Sequence, residues 1–110
     1  MAINKAYTLT SGENKFALDC PKIEQTSNEV VLQPNTYNVW GVVNGVLTLE
    51  KEEDKPIVAN NYVLRFVVGT DFQLVLSGWE VNWVIAAPTF VAGKTYEINI
   101  IDNIAMFVSI

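Results

Sequence analysis

The chain has 110 residues, half of them hydrophobic and 17% charged, a composition that predicts one folded domain spanning residues 1–110 and excludes a disordered chain. Its net charge is −5 and its seven basic residues do not cluster, so we expect no nucleic-acid partner. No stretch approaches the ~20 apolar residues of a membrane-spanning helix, and we expect no membrane partner either.

The first 29 residues predict N-terminal strands and a loop, which we interpret as a candidate attachment segment. Residues 6–10 and 15–19 alternate weakly between apolar and polar positions, as short strands do, whereas residues 20–28 are polar and irregular. The N-terminus has no apolar signal-peptide core. Cys20 is the only cysteine, so no internal disulfide can form, and we expect folding in a reducing cytoplasm.

The strongest turn signal in the chain is Asn44-Gly45, because both residues tolerate the positive φ of a two-residue hairpin turn. It separates an alternating run over 37–43 from another over 46–50, after a strand predicted at 29–33. A hairpin at this turn predicts two facing pairs, Trp40 with Leu49 and Val42 with Leu47.

A further strand is predicted over residues 61–68, since apolar side chains at every second position share one face. These side chains are Tyr62, Leu64, Phe66 and Val68. A three-residue turn at 69–71 keeps the next apolar row on the same face: Phe72, Leu74 and Leu76. Residues 79–85 predict another strand, which has on one side Trp79, Val81 and Trp83.

The C-terminal stretch predicts a β-hairpin, with strands at 95–101 and 104–110 around the turn Asp102-Asn103. This register places three pairs on one face: Tyr96 with Ser109, Ile98 with Phe107, and Ile100 with Ala105. The other face carries four large apolar side chains, Ile104, Met106, Val108 and Ile110.

Left in water, each of these four side chains would forgo roughly 1.5–3 kcal/mol of burial. The strand also lacks the charge or proline that blunts an exposed strand. Either a second sheet of the same domain covers the face or a neighbouring copy does, and we favour the neighbour. The candidate oligomer interface is therefore formed by Ile104, Met106, Val108 and Ile110.

Nine or ten short strands separated by turns predict an all-β domain, either an antiparallel β-sandwich or a jelly-roll-like fold. The alternation continues through the chain, and no stretch shows helical periodicity beyond a turn. We therefore expect no helix longer than a turn or two.

The sequence offers no catalytic constellation. Histidine is absent, which removes the commonest general base and metal ligand and leaves Cys20 without an evident activating partner. The acidic run at 50–54 lacks the alternating spacing and the glycine of a calcium loop. We expect no enzyme activity, no catalytic residue, no metal ion and no cofactor.

Two tryptophans leave a carbohydrate-binding module as the alternative function. Sugar-binding β-sandwiches use flat, exposed aromatic side chains as stacking platforms, and the candidate glycan-contacting residues are Trp79 and Trp83. Their spacing around Val81 favours a buried apolar row instead, and the alternation around Trp40 likewise predicts a core position.

Several short patterns resemble small β-domains in structural proteins of tailed bacteriophages, including the crAss-like group that infects gut bacteria. They are, in chain order, Leu32-Gln33-Pro34-Asn35-Thr36-Tyr37, Trp40-Gly41, Leu47-Thr48-Leu49, Asn61-Tyr62, Val81-x-Trp83 and Gly93-Lys94-Thr95-Tyr96-Glu97-Ile98. The last two are similar to strands in modules at the ends of phage fibre proteins. The resemblance covers about residues 30–110.

This resemblance implies a virion structural protein, either a head fibre, a capsid decoration protein or a tail-fibre component. It implies a homo-oligomer, with a trimer favoured, that contacts other virion proteins and carries no cofactor. Its expected location is the virion, after synthesis in the cytoplasm of the infected bacterium. Host-surface glycans are the partner that the carbohydrate-binding alternative implies.

Overall fold

The computed structural model describes residues 20–110, which form nine β-strands in two sheets. The strands are β1 (Lys22–Glu24), β2 (Glu29–Leu32), β3 (Thr36–Val43), β4 (Val46–Lys51), β5 (Asn61–Val68), β6 (Gln73–Leu76), β7 (Asn82–Trp83), β8 (Thr95–Ile101) and β9 (Ile104–Ser109). The predicted all-β class is confirmed for the described residues, and the strands predicted at 6–10 and 15–19 lie outside them. This part of the chain contains no helix, hence none with the length and apolarity to cross a membrane.

Up to β6, successive strands alternate between the two sheets, and β7, β8 and β9 all belong to the large one. The large sheet has the order β1-β3-β5-β8-β9-β7, and the small sheet has the order β2-β4-β6. Strands β1, β3 and β5 run parallel to one another, as do β2, β4 and β6. The chain therefore winds between the sheets in stacked coils and forms a short β-solenoid, in which each coil contacts the next.

The direction of strand pairing corrects the predicted antiparallel arrangement. Five of the seven pairings in the described residues are parallel, and only β5–β8 and β8–β9 are antiparallel. The two layers of a β-sandwich are present, and a jelly-roll topology is not confirmed. The period-two pattern carries no information on direction, because a half-buried strand alternates in the same way beside a parallel or an antiparallel neighbour.

The predicted hairpin at Asn44-Gly45 is wrong, since β3 and β4 belong to different sheets. Gly45 has the positive φ that the turn signal predicted, 77°, but the turn forms a corner of the solenoid rather than a hairpin. Consequently Trp40 does not pair with Leu49 in one ladder. Both side chains are buried and meet in the core between the two sheets.

Two other boundaries differ from the sequence prediction. The stretch 20–28, predicted to be a loop, contains the edge strand β1, in which only Ile23 is partly buried. The strand predicted at 79–85 is reduced to Asn82–Trp83. In both places a short edge strand pairs with one neighbour only, so little hydrophobic periodicity marks it in the sequence.

One line of solenoid corners is held by asparagine side chains that bridge successive coils. Asn28 Nδ2 donates to the Asn44 carbonyl oxygen at 2.9 Å, and Asn44 Oδ1 accepts from the Thr70 backbone N–H at 2.7 Å. Gly69 is required beside this stack, because an added Cβ would lie 2.8 Å from the Val43 carbonyl oxygen and 2.9 Å from Asn44 Cγ. The corner thus satisfies backbone groups that neither sheet pairs.

The opposite corners are stacked by a second polar series. Asn35 donates its backbone N–H to the Asn61 carbonyl oxygen at 2.6 Å, and the Asn61 N–H donates back to Asn35 Oδ1 at 3.3 Å. In the same way Asn60 and Asp102 exchange hydrogen bonds, each of 3.1 Å. These contacts tie the last coil to the turn between β8 and β9.

The core lies between the inward faces of the two sheets. The predicted inward row of β5 is confirmed, with exposed fractions of 3% or less for Tyr62, Leu64, Phe66 and Val68. Trp40 is buried as predicted, and its Nε1 donates to the Ser27 carbonyl oxygen at 2.8 Å. From the small sheet and its connections the core also receives Leu47, Leu49, Phe72, Leu74 and Leu76.

Candidate functional site

The C-terminal hairpin has the register that the sequence predicts. Ile98 lies opposite Phe107, Ile100 opposite Ala105, and Tyr96 opposite Ser109. The turn residues Asp102 and Asn103 take φ values of 48° and 69°, which Asx residues tolerate better than most. Together with the other inward side chains, this face of the hairpin packs into the core.

The other face of β9 is open. Ile104, Met106, Val108 and Ile110 are 52%, 54%, 59% and 77% exposed. The small sheet packs against the inward face of the large sheet, so the alternative in which a second sheet of the domain covers this row is wrong for the described residues. The four predicted interface residues therefore share one accessible column.

This column is one side of a wider surface, the outer face of the large sheet. Lys22 and Glu24 of β1 pair with Tyr37 and Val39 at one edge of this face, and Asn61, Ile101 and Ile104 form a shorter row at one end. Between them, cross-strand register arranges the side chains of the four central strands in three complete rows, each with one residue from β3, β5, β8 and β9 or the residue after it. The rows are Tyr37, Val63, Asn99 and Met106; Val39, Arg65, Glu97 and Val108; and Val42, Val67, Thr95 and Ile110.

Most positions in these rows are apolar, and the two charges on the four central strands lie side by side. Arg65 on β5 and Glu97 on β8 are cross-strand partners in the middle row. A shallow groove crosses the face near Asn99, whose side chain is shorter than that of Met106 beside it. The surface therefore has the composition of a protein interface: an apolar area with few, localised charges.

A second apolar area adjoins Met106. The segment that follows β7 exposes Val84 and Ile85 at 57% and 94%, and a groove joins them to Met106 and Phe107. Sequence reasoning missed these two residues, because they were assigned to the end of a strand. The available signal was the run 84–87, which follows Trp83 and consists only of apolar residues.

Burial of Trp79 corrects its assignment as a candidate glycan-contacting residue. Its side chain is 9% exposed and packs edge-on against Tyr62, with 5.0 Å between ring centroids, so neither ring face is free to stack on a sugar. Trp83 is half-buried and meets Phe107 in an edge-to-face contact at 6.2 Å. A glycan contact at Trp83 stays a prediction.

The remaining polar groups form no catalytic arrangement within residues 20–110. Burial raises the pKa of the half-buried Cys20 thiol, which disfavours the nucleophilic thiolate. In the acidic loop, Lys51 Nζ contacts Asp54 Oδ1 at 2.9 Å, and this part of the chain contains no cluster of three cysteine, aspartate or glutamate residues that could hold a metal ion.

Tyr62 is the most perturbed titratable group in the described core. Burial, followed by the nearby carboxylates of Asp54 and Glu52, raises the pKa of its phenol to about 12. The hydroxyl has no hydrogen-bond partner among the described residues, and the same is true of Trp79 Nε1. A phenol in this state stays protonated near neutral pH, which suits a packing residue rather than an acid or base.

Comparison with known proteins returns no match: no family model, no curated protein and no solved structure is similar to this chain.

Proposed function

We propose that the chain is a non-enzymatic structural protein of a tailed-phage virion, a head fibre, capsid decoration protein or tail-fibre component. It works through contacts with other copies of itself and with other virion proteins, and it uses no cofactor. The sequence resemblance over residues 30–110 supports the virion assignment and favours a trimer. Protein–protein contact as the mode of action is supported separately by the surface of the large sheet.

The observation that carries the proposal is the exposed β9 column. Ile104, Met106, Val108 and Ile110 are all more than half exposed, although the first three lie in β9, Ile110 directly follows it, and the neighbouring Ala105 and Phe107 on the other face pack in the core. Scattered surface aliphatics are common, whereas a continuous row on one strand marks an interaction site. A protein that functions alone in water would gain nothing from this row.

The chemistry of the described residues is consistent with a structural role. The pKa values of the Cys20 thiol and the Tyr62 phenol are both raised, which favours the protonated, unreactive form of each group. Carbohydrate binding receives less support than it had from the sequence, because Trp79 is packed in the core and leaves Trp83 as the single candidate platform.

The virion assignment is tested by locating the protein in purified phage particles. Particles of the phage that encodes the chain are purified by density gradient, labelled with antibodies against it and analysed by quantitative mass spectrometry. We expect a fixed number of copies in each particle and label at one location, head or tail. Absence of the protein from intact particles would contradict the assignment.

Assembly through β9 is tested with Val108→Lys. A lysine in the middle of a buried apolar row would place an unpaired charge there, so we expect the variant to be a folded monomer by light scattering and circular dichroism. Val31→Lys is the matched control, because Val31 is 55% exposed on the small sheet and Val108 is 59% exposed. Unfolding of Val108→Lys, with the control intact, would mean that the column belongs to the core.

A further inference from the structure

We propose that the outer face of the large sheet packs face to face against the same face of a second copy, about a two-fold axis parallel to the strands and between β5 and β8. The proposal rests on the homo-oligomeric part of the proposed function. It specifies a dimer, where the resemblance alone favours a trimer. The position of the charges, the pattern of the rows and the size of the face lead to it.

Charge complementarity selects the axis. Arg65 and Glu97 lie side by side at the centre of the face, and burying either one unpaired would be costly. A two-fold axis that runs between β5 and β8 exchanges these two columns, and so places Arg65 of each copy over Glu97 of the other. An axis across the strands would instead place Arg65 over Arg65, and like charges would meet.

The same axis brings the exposed column of β9 against an apolar column. Each row of one copy lies over the same row of the second copy, but in the reverse order of strands. Residues from β9 therefore lie over residues from β3. The resulting contacts of one copy with the second are Met106 over Tyr37, Val108 over Val39, and Ile110 over Val42. Two sheets packed in this way lie ~10 Å apart with their strands nearly aligned.

The size of the face means that a second copy would have to cover all of it. Four strands spaced ~4.8 Å apart and seven residues at ~3.3 Å each give roughly 400 Å² in projection. Stable interfaces take ~800 Å² of accessible surface from each partner. The β9 column alone is too narrow to supply this, so the contact has to extend across the width of the sheet, as face-to-face packing does.

The outer face of the large sheet is self-complementary, whereas the outer face of the small sheet is not. The small sheet's outer surface carries Glu29 and Glu50, both exposed, and the groove between them is lined by Val31 and Thr48. Packing two copies through this surface would bring carboxylates together with no cation in the groove to pair them. The four central strands of the large sheet combine an apolar face with one charge of each sign, and Lys22 and Glu24 lie at its edge on β1.

The test is a charge exchange between two different variants, measured by light scattering. Arg65→Glu places a negative charge at both 65 and 97, and Glu97→Arg places a positive charge at both positions. We expect wild type to be a dimer and each variant alone to be a monomer. An equimolar mixture of the two variants should form a dimer again, because each negative face then meets a positive one. Glu50→Arg, on the small sheet, is the control and should remain a dimer.

Mixing separates the interface from effects inside one chain, since a repulsion between residues 65 and 97 of the same copy cannot be relieved by another molecule. If the wild type assembles but the mixture stays monomeric, or if the single variants still dimerise, the proposed packing is wrong while assembly itself stands. A wild type that is trimeric also overturns it. A wild type that is monomeric at every concentration removes the homo-oligomer from the proposed function as well.

A second pair keeps the test decisive if a charge-exchange variant does not fold. Val39→Asp and Val108→Lys change two residues that the packing places over each other in opposite copies. Each variant alone should be a monomer, and their mixture should form a heterodimer through the introduced Lys–Asp pair. Failure of folded Val39→Asp and Val108→Lys to associate would exclude the proposed axis.

Discussion

The solenoid corners and the outer face of the large sheet use polar and apolar residues in opposite ways. At the corners, asparagines such as Asn44 bond to the backbone of the adjacent coil and hold the coils in register. On the outer face, aliphatic side chains such as Val108 lie in solvent and contact nothing that holds the coils together. Polar residues at the corners therefore stabilise the fold, and apolar residues on the outer face are available for assembly.

The largest expected difference separates the two faces of the C-terminal hairpin. Ile98→Ala removes a fully buried side chain and should lower the free energy of unfolding by about 2–5 kcal/mol. Val108→Ala, on the exposed face of the paired strand, should change the stability of the monomer by no more than ~0.5 kcal/mol but weaken its association. Urea unfolding at several protein concentrations measures both effects, because only association makes the midpoint depend on concentration.

Equal destabilisation by these two substitutions at the lowest protein concentration would contradict the comparison. It would mean that the outer face contributes to the fold of a single chain, and that its exposure in the described residues does not reflect its role.

The next largest effect is expected at a corner. Gly69→Ala places a Cβ against the Val43 carbonyl and the Asn44 side chain, so the corner has to shift and break the bond to Thr70. We expect a loss of about 1–3 kcal/mol, the usual range for overpacking. Gly41→Ala is the matched control, since an added Cβ there would meet nothing within 4 Å. Chemical denaturation of the two variants measures the difference, and similar midpoints would show that the corner is not close-packed.

The C-terminal hairpin could be predicted from sequence because all of its determinants are local. A two-residue turn of Asx residues joins two alternating runs, and these features set the register from Ile98–Phe107 outwards. The accessible column of β9 follows from the same register. For this reason the register of the hairpin was predicted more accurately than the fold that carries it.

The solenoid could not be read in the same way, because its pairings join residues far apart in the chain. Tyr37 pairs with Val63, 26 positions on, and Leu47 pairs with Leu74, 27 positions on, but Lys22 pairs with Tyr37 after only 15. The charged loop after β4 lengthens one coil and conceals the repeat. Asn44-Gly45 fits the sequence rule for a hairpin turn, but the corner uses only the positive φ of Gly45.

The rows of the outer face were also beyond the sequence. Arg65 and Glu97 become neighbours through the pairing of β5 with β8, which are separated in the chain by two strands, β6 and β7, and their connections. Nothing in the sequence around either residue indicates that the two are neighbours. The two charges become neighbours only through the register of the folded sheet. This register places a positive charge on one side of the centre of the face and a negative charge on the other.

The smallest effect is expected for Tyr62, a buried polar group that belongs to neither the corners nor the outer face. Its hydroxyl has no partner in the described residues, so Tyr62→Phe should alter stability by less than about 1 kcal/mol near neutral pH.

At high pH the wild type and Tyr62→Phe should differ more in stability. The folded-state pKa is raised to about 12, whereas an unfolded tyrosine titrates near ~10, so the unfolded wild type releases its proton first. The contribution of Tyr62 to stability is therefore complete below pH ~10 and is lost as the pH rises towards 12. Unfolding free energies measured from pH 8 to pH 12 should fall less steeply for Tyr62→Phe than for the wild type, with Tyr37→Phe on the outer face as the control. Parallel pH profiles for Tyr62→Phe and the wild type would show that the phenol is not buried in the folded chain.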